Sequence, residues 1–210
     1  MQEDKIYPNF LIENSFPNHA VAGIDEAGRG PLSGPVVAAC VILDQTNYPK
    51  EINDSKKLSK TTRKKIYHFL KEEAKFGVGI VDENKIDEIN ILQATKLAMF
   101  LAYEDICKKY QIKPETLLVD GNFKPFNDNK IEIISIVKGD QKSLSIAAAS
   151  IIAKETRDEI MLKLSQEFPQ YGWDKNSGYP TKSHILAIEK FGICKYHRKT
   201  FEPIKTIINK

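Results

Sequence analysis

The stretch of sequence that decides the fold of this chain is Val21-Ala-Gly-Ile-Asp-Glu-Ala-Gly-Arg-Gly-Pro-Leu-Ser-Gly-Pro-Val-Val-Ala-Ala-Cys-Val-Ile-Leu43. A short apolar run ends in two adjacent carboxylates, Asp25 and Glu26, and a glycine-rich loop follows them directly. The next run, residues 36–43, is apolar and rich in β-branched residues, which predicts a second strand. Carboxylates at a strand end can hold hard metal ions, and glycine lets a ligand approach the backbone closely. The stretch therefore predicts two strands joined at a site for metal ions and a polyanion.

The remainder of the chain alternates predicted strands and helices. Apolar runs with β-branched residues predict strands at residues 21–25, 36–43, 76–81, 117–120 and 131–137. Helical spacing of apolar residues predicts helices at residues 60–75, 90–110, 144–168 and 182–191, the first of them with Ser59 as its N-cap. This alternation is typical of an α/β fold, in which helices pack on a central sheet.

The bulk properties limit the class of protein. The 210 residues can bury a substantial core, and the net charge is only +3, so a groove for nucleic acid would need a local cluster of basic residues. Cys40, Cys107 and Cys194 have no CxxC spacing, which argues against a disulfide framework and against a zinc site. No run approaches the roughly 20 apolar residues of a membrane span, and the first ten residues do not resemble a signal peptide. We therefore expect a cytoplasmic protein.

Four acidic residues are candidates for a common site: Asp25, Glu26, Asp120 and Asp140. Each lies near the end of a predicted strand or before the long helix, and sites in open α/β sheets form outside strand ends. Converging carboxylates repel one another unless cations neutralise them, which two divalent ions about 3.5–4 Å apart would do. Taken singly, an Asp at a strand end is more often a turn or cap residue. Asp25 and Glu26 are adjacent, so we expect the strand to end or bend between them if they share a site.

The glycine loop has two other interpretations. Its spacing from Gly28 to Gly34 is G-x-G-x-x-x-G, one residue longer than the dinucleotide-binding fingerprint. It also leads into a predicted strand, whereas a dinucleotide-binding loop opens a helix whose N-terminus faces phosphate. A tight turn that needs glycine for purely structural reasons is the second alternative.

The stretch around the glycine loop resembles the signature of type 2 ribonuclease H, the ribonuclease HII family. Further blocks resemble that family in the same order: Asp54-Ser-Lys-Lys-Leu-Ser59, Ile89-Asn-Ile-Leu-Gln-Ala-Thr-Lys-Leu-Ala-Met99, Val119-Asp-Gly121, Val137-Lys-Gly-Asp140, Ser145-Ile-Ala-Ala-Ala-Ser-Ile-Ile-Ala-Lys-Glu-Thr-Arg-Asp158, Gly178-Tyr-Pro-Thr-Lys182 and His197-Arg-Lys-Thr-Phe-Glu-Pro203. The resemblance implies a ribonuclease H-like mixed central sheet of about five strands flanked by helices. We expect a single catalytic domain over residues 1–210, with a lead-in at 1–18 and a helical, substrate-binding part from about 169 to 210.

The resemblance also implies an activity. The family consists of endonucleases that hydrolyse the RNA strand of RNA–DNA hybrids and cut 5′ of ribonucleotides embedded in duplex DNA, leaving 5′-phosphate and 3′-hydroxyl ends. It implies that Asp25, Glu26, Asp120 and Asp140 are catalytic and hold two Mn²⁺ or Mg²⁺ ions. Such an activity serves ribonucleotide removal from DNA and RNA primer removal. We expect a monomer whose partner is nucleic acid.

The candidates for substrate binding are Gly28, Arg29, Gly30, Ser55, Lys56, Tyr179 and Arg198. By resemblance, the backbone of the glycine loop contacts the 2′-hydroxyl that distinguishes RNA from DNA, and Tyr179 stacks at the RNA–DNA junction. Ser55 and Lys56 are suited to phosphate contacts, although a solvated turn is the alternative. Arg198 is the strongest candidate among the basic residues expected to extend a basic surface over the C-terminal part. Lys138 is a further candidate near Asp140 and the scissile phosphate.

Three alternatives stay open. One is another ribonuclease H-like nuclease of the resolvase or transposase type, against which the Gly-Arg-Gly loop and Tyr179 argue. Another is ribonuclease HIII, which carries an extra N-terminal domain, whereas only 20 residues precede Val21. The third is a non-catalytic module that binds hybrids, and the presence of all four carboxylates argues against it.

Overall fold

The structure is a computed structural model that describes residues 7–17 and 19–209. Its centre is one mixed sheet of five strands, in the order β3-β2-β1-β4-β5. The strands are β1 (Val21–Ala27), β2 (Val36–Ile42), β3 (Lys75–Val81), β4 (Thr116–Asp120) and β5 (Glu132–Ile136). The first three strands pair antiparallel, while β4 runs parallel to both β1 and β5. The predicted ribonuclease H-like arrangement of sheet and helices is confirmed.

Helices cover both faces of the sheet. The helices are α1 (Lys60–Glu73), α2 (Glu83–Tyr110), α3 (Leu144–Glu167), α4 (Trp173–Asn176), α5 (Lys182–Phe191) and α6 (Ile204–Ile208). Side chains alternate along β2, so Ala38 and Cys40 pack against α2, while Ala39 and Val41 pack against α1 and α3. Cys40 is buried as the apolar strand pattern predicts. Because both faces of β2 are covered, the sequence of this strand is continuously apolar and does not alternate with polar residues.

The second helix begins earlier than the predicted residue 90. Residues 83–89 form a helical segment that Asp82 caps by accepting a hydrogen bond from the Lys85 N–H. At Asn90 the backbone leaves the helical region, with φ 65°, and the Asn90 side chain accepts from the N–H groups of Leu92 and Gln93. Asn90 therefore acts as a second N-cap inside the helix. The apolar periodicity detects only the part of α2 that follows this internal cap.

The C-terminal part has its own apolar cluster. Its fully buried members include one residue from each short helix, namely Trp173, Ile188 and Ile204, and they pack in one cluster with Met161 of α3. The predicted helical character of the region from about 169 onward is confirmed, although its helices are short and joined by loops. This cluster places the loop after α4 beside the end of β1, where the site lies.

The predicted lead-in at residues 1–18 is described only in part. Residues 1–6 and 18 lie outside the described residues. Within the remainder, a turn of 3-10 helix spans Glu13–Ser15, and the Glu13 carboxylate accepts hydrogen bonds from the Ser143 hydroxyl and the Ser145 N–H. These contacts fasten the lead-in to the start of α3. Among residues 7–17 and 19–209, no helix has both the length and the apolar character needed to span a membrane.

Candidate active site

The sheet register brings the acidic residues together. The parallel pairing of β1 and β4 ends at Ile24 opposite Val119, so Asp25 and Asp120 are the next residues on two neighbouring strands. Neighbouring strands lie about 4.8 Å apart, which makes these two residues close neighbours. A short turn after β5 then places Asp140 beside them, because the Asp120 carboxylate accepts a 2.6 Å hydrogen bond from the Gly139 N–H. The predicted convergence of strand-end acids thus has a geometric basis in the register.

The prediction that β1 ends or bends between Asp25 and Glu26 is wrong. The strand continues to Ala27 in regular register with β2. Alternation places Asp25 on the face covered by α3 and Glu26 on the opposite face, since Ile24 packs against α2. The two carboxylates therefore approach Asp120 from different faces at the end of the sheet, and the charge of Asp120 raises the pKa of each.

The acids are held at an electrostatic cost. Burial, followed by the charges of Glu26 and Asp120, raises the pKa of Asp25 well above its ordinary value. Burial raises the pKa of Glu26 as well, although Arg29, whose Nη1 lies 3.4 Å from the Glu26 carboxylate, opposes the shift. Burial and the charges of Asp54 and Asp120 raise the pKa of Asp140 to about 6. The folded chain by itself supplies too little positive charge for this cluster.

Lys56 and Asp54 complete the charged cluster. Burial disfavours the Lys56 ammonium, but the charges of Asp25, Asp54, Asp140 and Asp120 outweigh that effect and raise the pKa of Lys56. Asp54 is buried, within hydrogen-bonding reach of Asp140, and it accepts from the Lys56 N–H at 2.9 Å. Sequence reasoning missed Asp54, because its block was interpreted only through the hydroxyl and ammonium groups that could contact phosphate.

The donor set fits hard divalent cations. Carboxylate oxygens are the ligands that Mg²⁺ prefers, and mutual repulsion among buried carboxylates is relieved when a cation binds between them. In the described part of the chain, however, no three Asp, Glu, His or Cys side chains already stand as a closed metal-binding cluster. Asp25, Glu26, Asp120 and Asp140 are the residues that would hold the ions.

The two glycines of the loop have different structural needs. Gly28 has φ +100°, and a Cβ at this position would overlap Arg157 Nε and lie 2.7 Å from Pro35 O, so only glycine fits. Gly30 lies outside the left-handed region, and a Cβ there would meet only Tyr179 Cε1, at 3.6 Å. The free protein therefore requires glycine at position 28 but not at position 30.

Arg198 does not extend a basic surface, contrary to the prediction. Its side chain is fully buried, and the guanidinium donates to the carbonyl oxygens of Gly28, Arg29 and Gly34. Sequence reasoning counted its positive charge but could not foresee that the chain folds it beneath the glycine loop. The residue supports this loop from inside the protein and cannot contact a phosphate at the surface.

Tyr179 lies over Gly30 and is anchored through its backbone. The residue is 43% exposed, and its carbonyl oxygen lies 2.9 Å from His184 Nδ1. Trp173 Nε1–H can only donate, and it points at His184 Nε2 at 3.0 Å, so the proton of His184 must be on Nδ1 and is donated to Tyr179. Sequence reasoning gave His184 no role, since neither its spacing nor its charge indicates this contact.

A second imidazole completes the anchor. His197 Nδ1 accepts from the Cys194 N–H, so its Nε2–H is left to donate to His184 Nε2 at 3.3 Å. Burial and the neighbouring His184 lower the pKa of His197 to about 4, and burial lowers the pKa of His184. Both rings are thus neutral at physiological pH and hold the Tyr179 loop in place.

The predicted residues line one cleft of about 250 Å³. Its walls carry most of the predicted residues: Asp25, Glu26, Gly28, Arg29, Gly30, Ser55, Lys56 and Tyr179. Ser150 and Lys154 of α3 also line it and were not predicted. Lys138 is exposed on the turn before Asp140, and its role stays a prediction. A larger cavity of about 500 Å³ lies beside Val21, at the opposite end of β1 from the carboxylates.

The sequence model of the family described as Ribonuclease HII matches residues 22–204. The chain belongs to the ribonuclease HII family. It is similar to the ribonuclease HII of Rickettsia bellii (strain OSU 85-389), with 56% identity over 190 residues that cover 90% of this chain and 93% of the relative. It is also similar to the ribonuclease HII of Chlamydia trachomatis serovar A (strain ATCC VR-571B / DSM 19440 / HAR-13), with 50% identity over 209 residues that cover 99% of this chain and 92% of the relative.

Solved structures share the fold of this chain. Ribonuclease H2 from Pyrococcus horikoshii OT3 superposes with a TM-score of 0.74 at 28% identity, covering 90% of this chain and 97% of that one. The ribonuclease HIII known as Bst-RNase HIII, solved in complex with Mn²⁺, shares the fold with a TM-score of 0.73 at 21% identity, covering 95% of this chain and 72% of that one. As a ribonuclease HII family member, the protein is a nuclease with ribonuclease H activity on RNA–DNA hybrids.

The repulsion among the carboxylates can be measured through stability. We expect Asp25→Asn to stabilise the cation-free protein at pH 8 by an amount on the order of 1 kcal/mol, because it removes a buried charge from a crowded cluster. The pKa of Asp25 is raised on folding, so wild-type stability falls as pH rises through that pKa. The advantage of the variant should therefore shrink as pH is lowered towards 5. Thermal unfolding in EDTA across this range checks it, and a variant less stable than wild type at pH 8 would contradict it.

Proposed function

We propose that the protein cuts duplex DNA on the 5′ side of an embedded ribonucleotide, in addition to hydrolysing the RNA of hybrids. The observation that carries this proposal is the cleft in which Asp25 and Glu26, with the charge of Asp120 close enough to raise the pKa of each, lie beside Gly30 and Tyr179. The four carboxylates supply charge for two divalent cations, Mg²⁺ or Mn²⁺, which when bound activate water and stabilise the charge that develops on the phosphoryl oxygens. The products are a 5′-phosphate and a 3′-hydroxyl.

The residues of the cleft have separate tasks in this proposal. The backbone of Arg29 and Gly30 recognises the 2′-hydroxyl, which is the chemical difference between RNA and DNA at a single position. The Tyr179 ring stacks on the deoxyribose that follows, where a second hydroxyl would crowd it. Lys56, held near the acids by their charge, contacts the phosphate beside the scissile bond, with Ser55 next to it.

The wider role follows from this specificity. An enzyme that needs only one ribonucleotide acts in removing misincorporated ribonucleotides and RNA primers from DNA. Substrate access requires no partner subunit in this arrangement, so we propose that a monomer is active, and that it acts in the cytoplasm.

The proposal is tested with a labelled duplex that contains one ribonucleotide. We expect cleavage at its 5′ side with Mg²⁺ or Mn²⁺, none in EDTA, and extension of the upstream fragment by a DNA polymerase because it ends in a 3′-hydroxyl. Asp120→Asn should abolish cleavage while the fold, measured by circular dichroism, is retained. Cleavage of long hybrids only, with the one-ribonucleotide duplex left intact, would contradict the proposal.

The two glycines give a matched pair of variants. Gly30→Ala should leave stability unchanged or raise it by about 0.4–1 kcal/mol, because alanine fits the backbone there and restricts the unfolded chain. It should nevertheless reduce cleavage of the one-ribonucleotide duplex at least tenfold, on the order of the loss of one or two hydrogen bonds, because the methyl group enters the space between the loop and Tyr179.

Gly28→Ala serves as the comparison. It places a side chain at φ +100° against Arg157 and should destabilise the protein by about 1–3 kcal/mol. Thermal unfolding and kcat/KM are measured for both variants. Wild-type activity in Gly30→Ala would show that the space above Gly30 is not the ribose site.

Tyr179 is tested by separating the ring from its hydroxyl. Tyr179→Ala should lower kcat/KM on the one-ribonucleotide duplex by roughly tenfold to a hundredfold, since losing one stacking contact costs about 1–3 kcal/mol. Tyr179→Phe keeps the ring and should retain most of the stacking. Mn²⁺ affinity, measured by titration, should be the same in all three proteins. Full activity of Tyr179→Ala would assign the ring to loop packing.

A further inference from the structure

Two arginines lie buried beneath the glycine loop. Arg157 of α3 is 1% exposed and Arg198, in the segment after α5, is fully buried. Among the described residues, neither makes an ion pair with a carboxylate. Burial lowers the pKa of Arg157 to about 10, and burial together with Arg157 lowers the pKa of Arg198 to about 9, so both stay charged at neutral pH. Buried charge without a partner is costly, and packing alone does not explain its retention.

Among residues 7–17 and 19–209, the hydrogen bonds of both guanidinium groups all go to backbone carbonyls. Arg198 Nη2 donates to Gly28 O at 2.7 Å, and Arg198 Nη1 donates to Arg29 O at 3.2 Å. Its remaining bonds go to Gly34 O. Arg157 instead donates to the carbonyls of Ser33, Pro35 and Ser177. Arg198 is therefore the residue that holds the two consecutive peptide groups at the start of the loop.

The orientation of these carbonyls fixes the orientation of two N–H groups. In a planar trans peptide the C=O of one residue and the N–H of the next point in opposite directions. Because Arg198 draws the carbonyls of Gly28 and Arg29 inward, the N–H groups of Arg29 and Gly30 point outward. Both residues are exposed at the cleft, and within the described residues neither N–H donates to a protein acceptor. Two adjacent free donors of this kind bind an oxygen acceptor or an anion.

We infer that Arg198 is the positioning residue that sets ribonucleotide specificity, by holding the Arg29 and Gly30 N–H groups toward an oxygen of the ribonucleotide. The inference rests on the proposed function. Arg198 acts through the loop and touches no substrate. Its charge also polarises the two peptide groups, which strengthens their N–H groups as donors. A flexible ammonium cannot replace it, because only the planar fork of a guanidinium reaches both carbonyls.

Arg198→Lys tests this inference, since it keeps the charge and removes the fork. The measured quantity is the ratio of Kd for an all-DNA duplex to Kd for the same duplex with one ribonucleotide. Binding is followed by fluorescence anisotropy with Ca²⁺ in place of Mg²⁺, and a gel confirms that the duplex stays intact. Wild type should favour the ribonucleotide, and the variant should lose roughly tenfold of that ratio, the effect of weakening two hydrogen bonds.

Ile188→Ala is the matched control. Ile188 is buried in the C-terminal cluster and makes none of the hydrogen bonds to the loop carbonyls, so this variant loosens the same region while Arg198 keeps its guanidinium fork. Its thermal stability should fall, while its Kd ratio should stay at the wild-type value. An equal loss of ratio in Ile188→Ala and Arg198→Lys would overturn the inference, because any loosening would then suffice.

The remaining outcomes are also decisive. If wild type favours the ribonucleotide and Arg198→Lys keeps the full ratio, the positioning role is wrong while the proposed function stands. If wild type shows no preference in Kd, the inference is also overturned, since the two N–H groups then recognise no ribonucleotide on binding, while the proposed function is decided separately by the cleavage assay. Should Arg198→Lys lack a cooperative unfolding transition, Arg198→Gln, which keeps an amide donor without the charge, is measured in its place. A full ratio in that variant also overturns the inference.

Discussion

Repulsion among buried carboxylates is the constraint around which the site is built. Parallel pairing of β1 and β4 puts Asp25 and Asp120 side by side, and the turn after β5 adds Asp140. The sheet is rigid, so these charges cannot move apart without loss of core packing, and burial raises the pKa of Asp25 and Asp140. Lys56 and Arg29 offset only part of the charge. Repulsion among these carboxylates thus destabilises the folded state, and binding of divalent cations would relieve it. Cation binding is therefore coupled to the stability of the protein.

Features that depend on local pattern could be predicted from the sequence. The strands and the long α3 helix follow from periodicity. The rule that sites form at strand ends makes the four acids candidates, but among 28 acidic residues it is the resemblance to the family that singles them out. The positions that individual side chains occupy in the folded protein could not be predicted in this way. Arg198 carries a charge that suggests a surface residue, yet it is buried, because its partners are carbonyls 164 to 170 positions away in sequence. Asp54 was overlooked for a related reason, since its neighbour Asp140 is near only in the folded chain.

Neutral hydrogen bonding organises the part of the site that faces the substrate. In the chain from Trp173 through His184 to Tyr179, Nε2 of His184 accepts from Trp173 and Nδ1 donates to Tyr179, so the tautomer of His184 is fixed by its neighbours. Such a network holds a loop without adding charge next to the acidic cluster. His184 is therefore a structural residue, and the ordinary expectation that a histidine marks a metal site or an acid–base catalyst does not apply to it.

The glycine loop shows why rigidity matters for recognising a single hydroxyl group. One net hydrogen bond contributes about 0.5–1.5 kcal/mol, whereas ordering the backbone of one loop residue costs about 1–2 kcal/mol. In a mobile loop, the entropic cost of ordering the backbone on binding would cancel the free energy gained from the hydrogen bond. Such a loop would not distinguish a ribonucleotide from the neighbouring deoxyribonucleotides. The two guanidinium groups order the loop during folding, since Arg198 binds the carbonyls of Gly28, Arg29 and Gly34 while Arg157 binds those of Ser33 and Pro35. The free-energy cost of burying the two charges is therefore part of the folding free energy of the whole domain. Substrate binding at Gly30 then carries no further cost for ordering the loop.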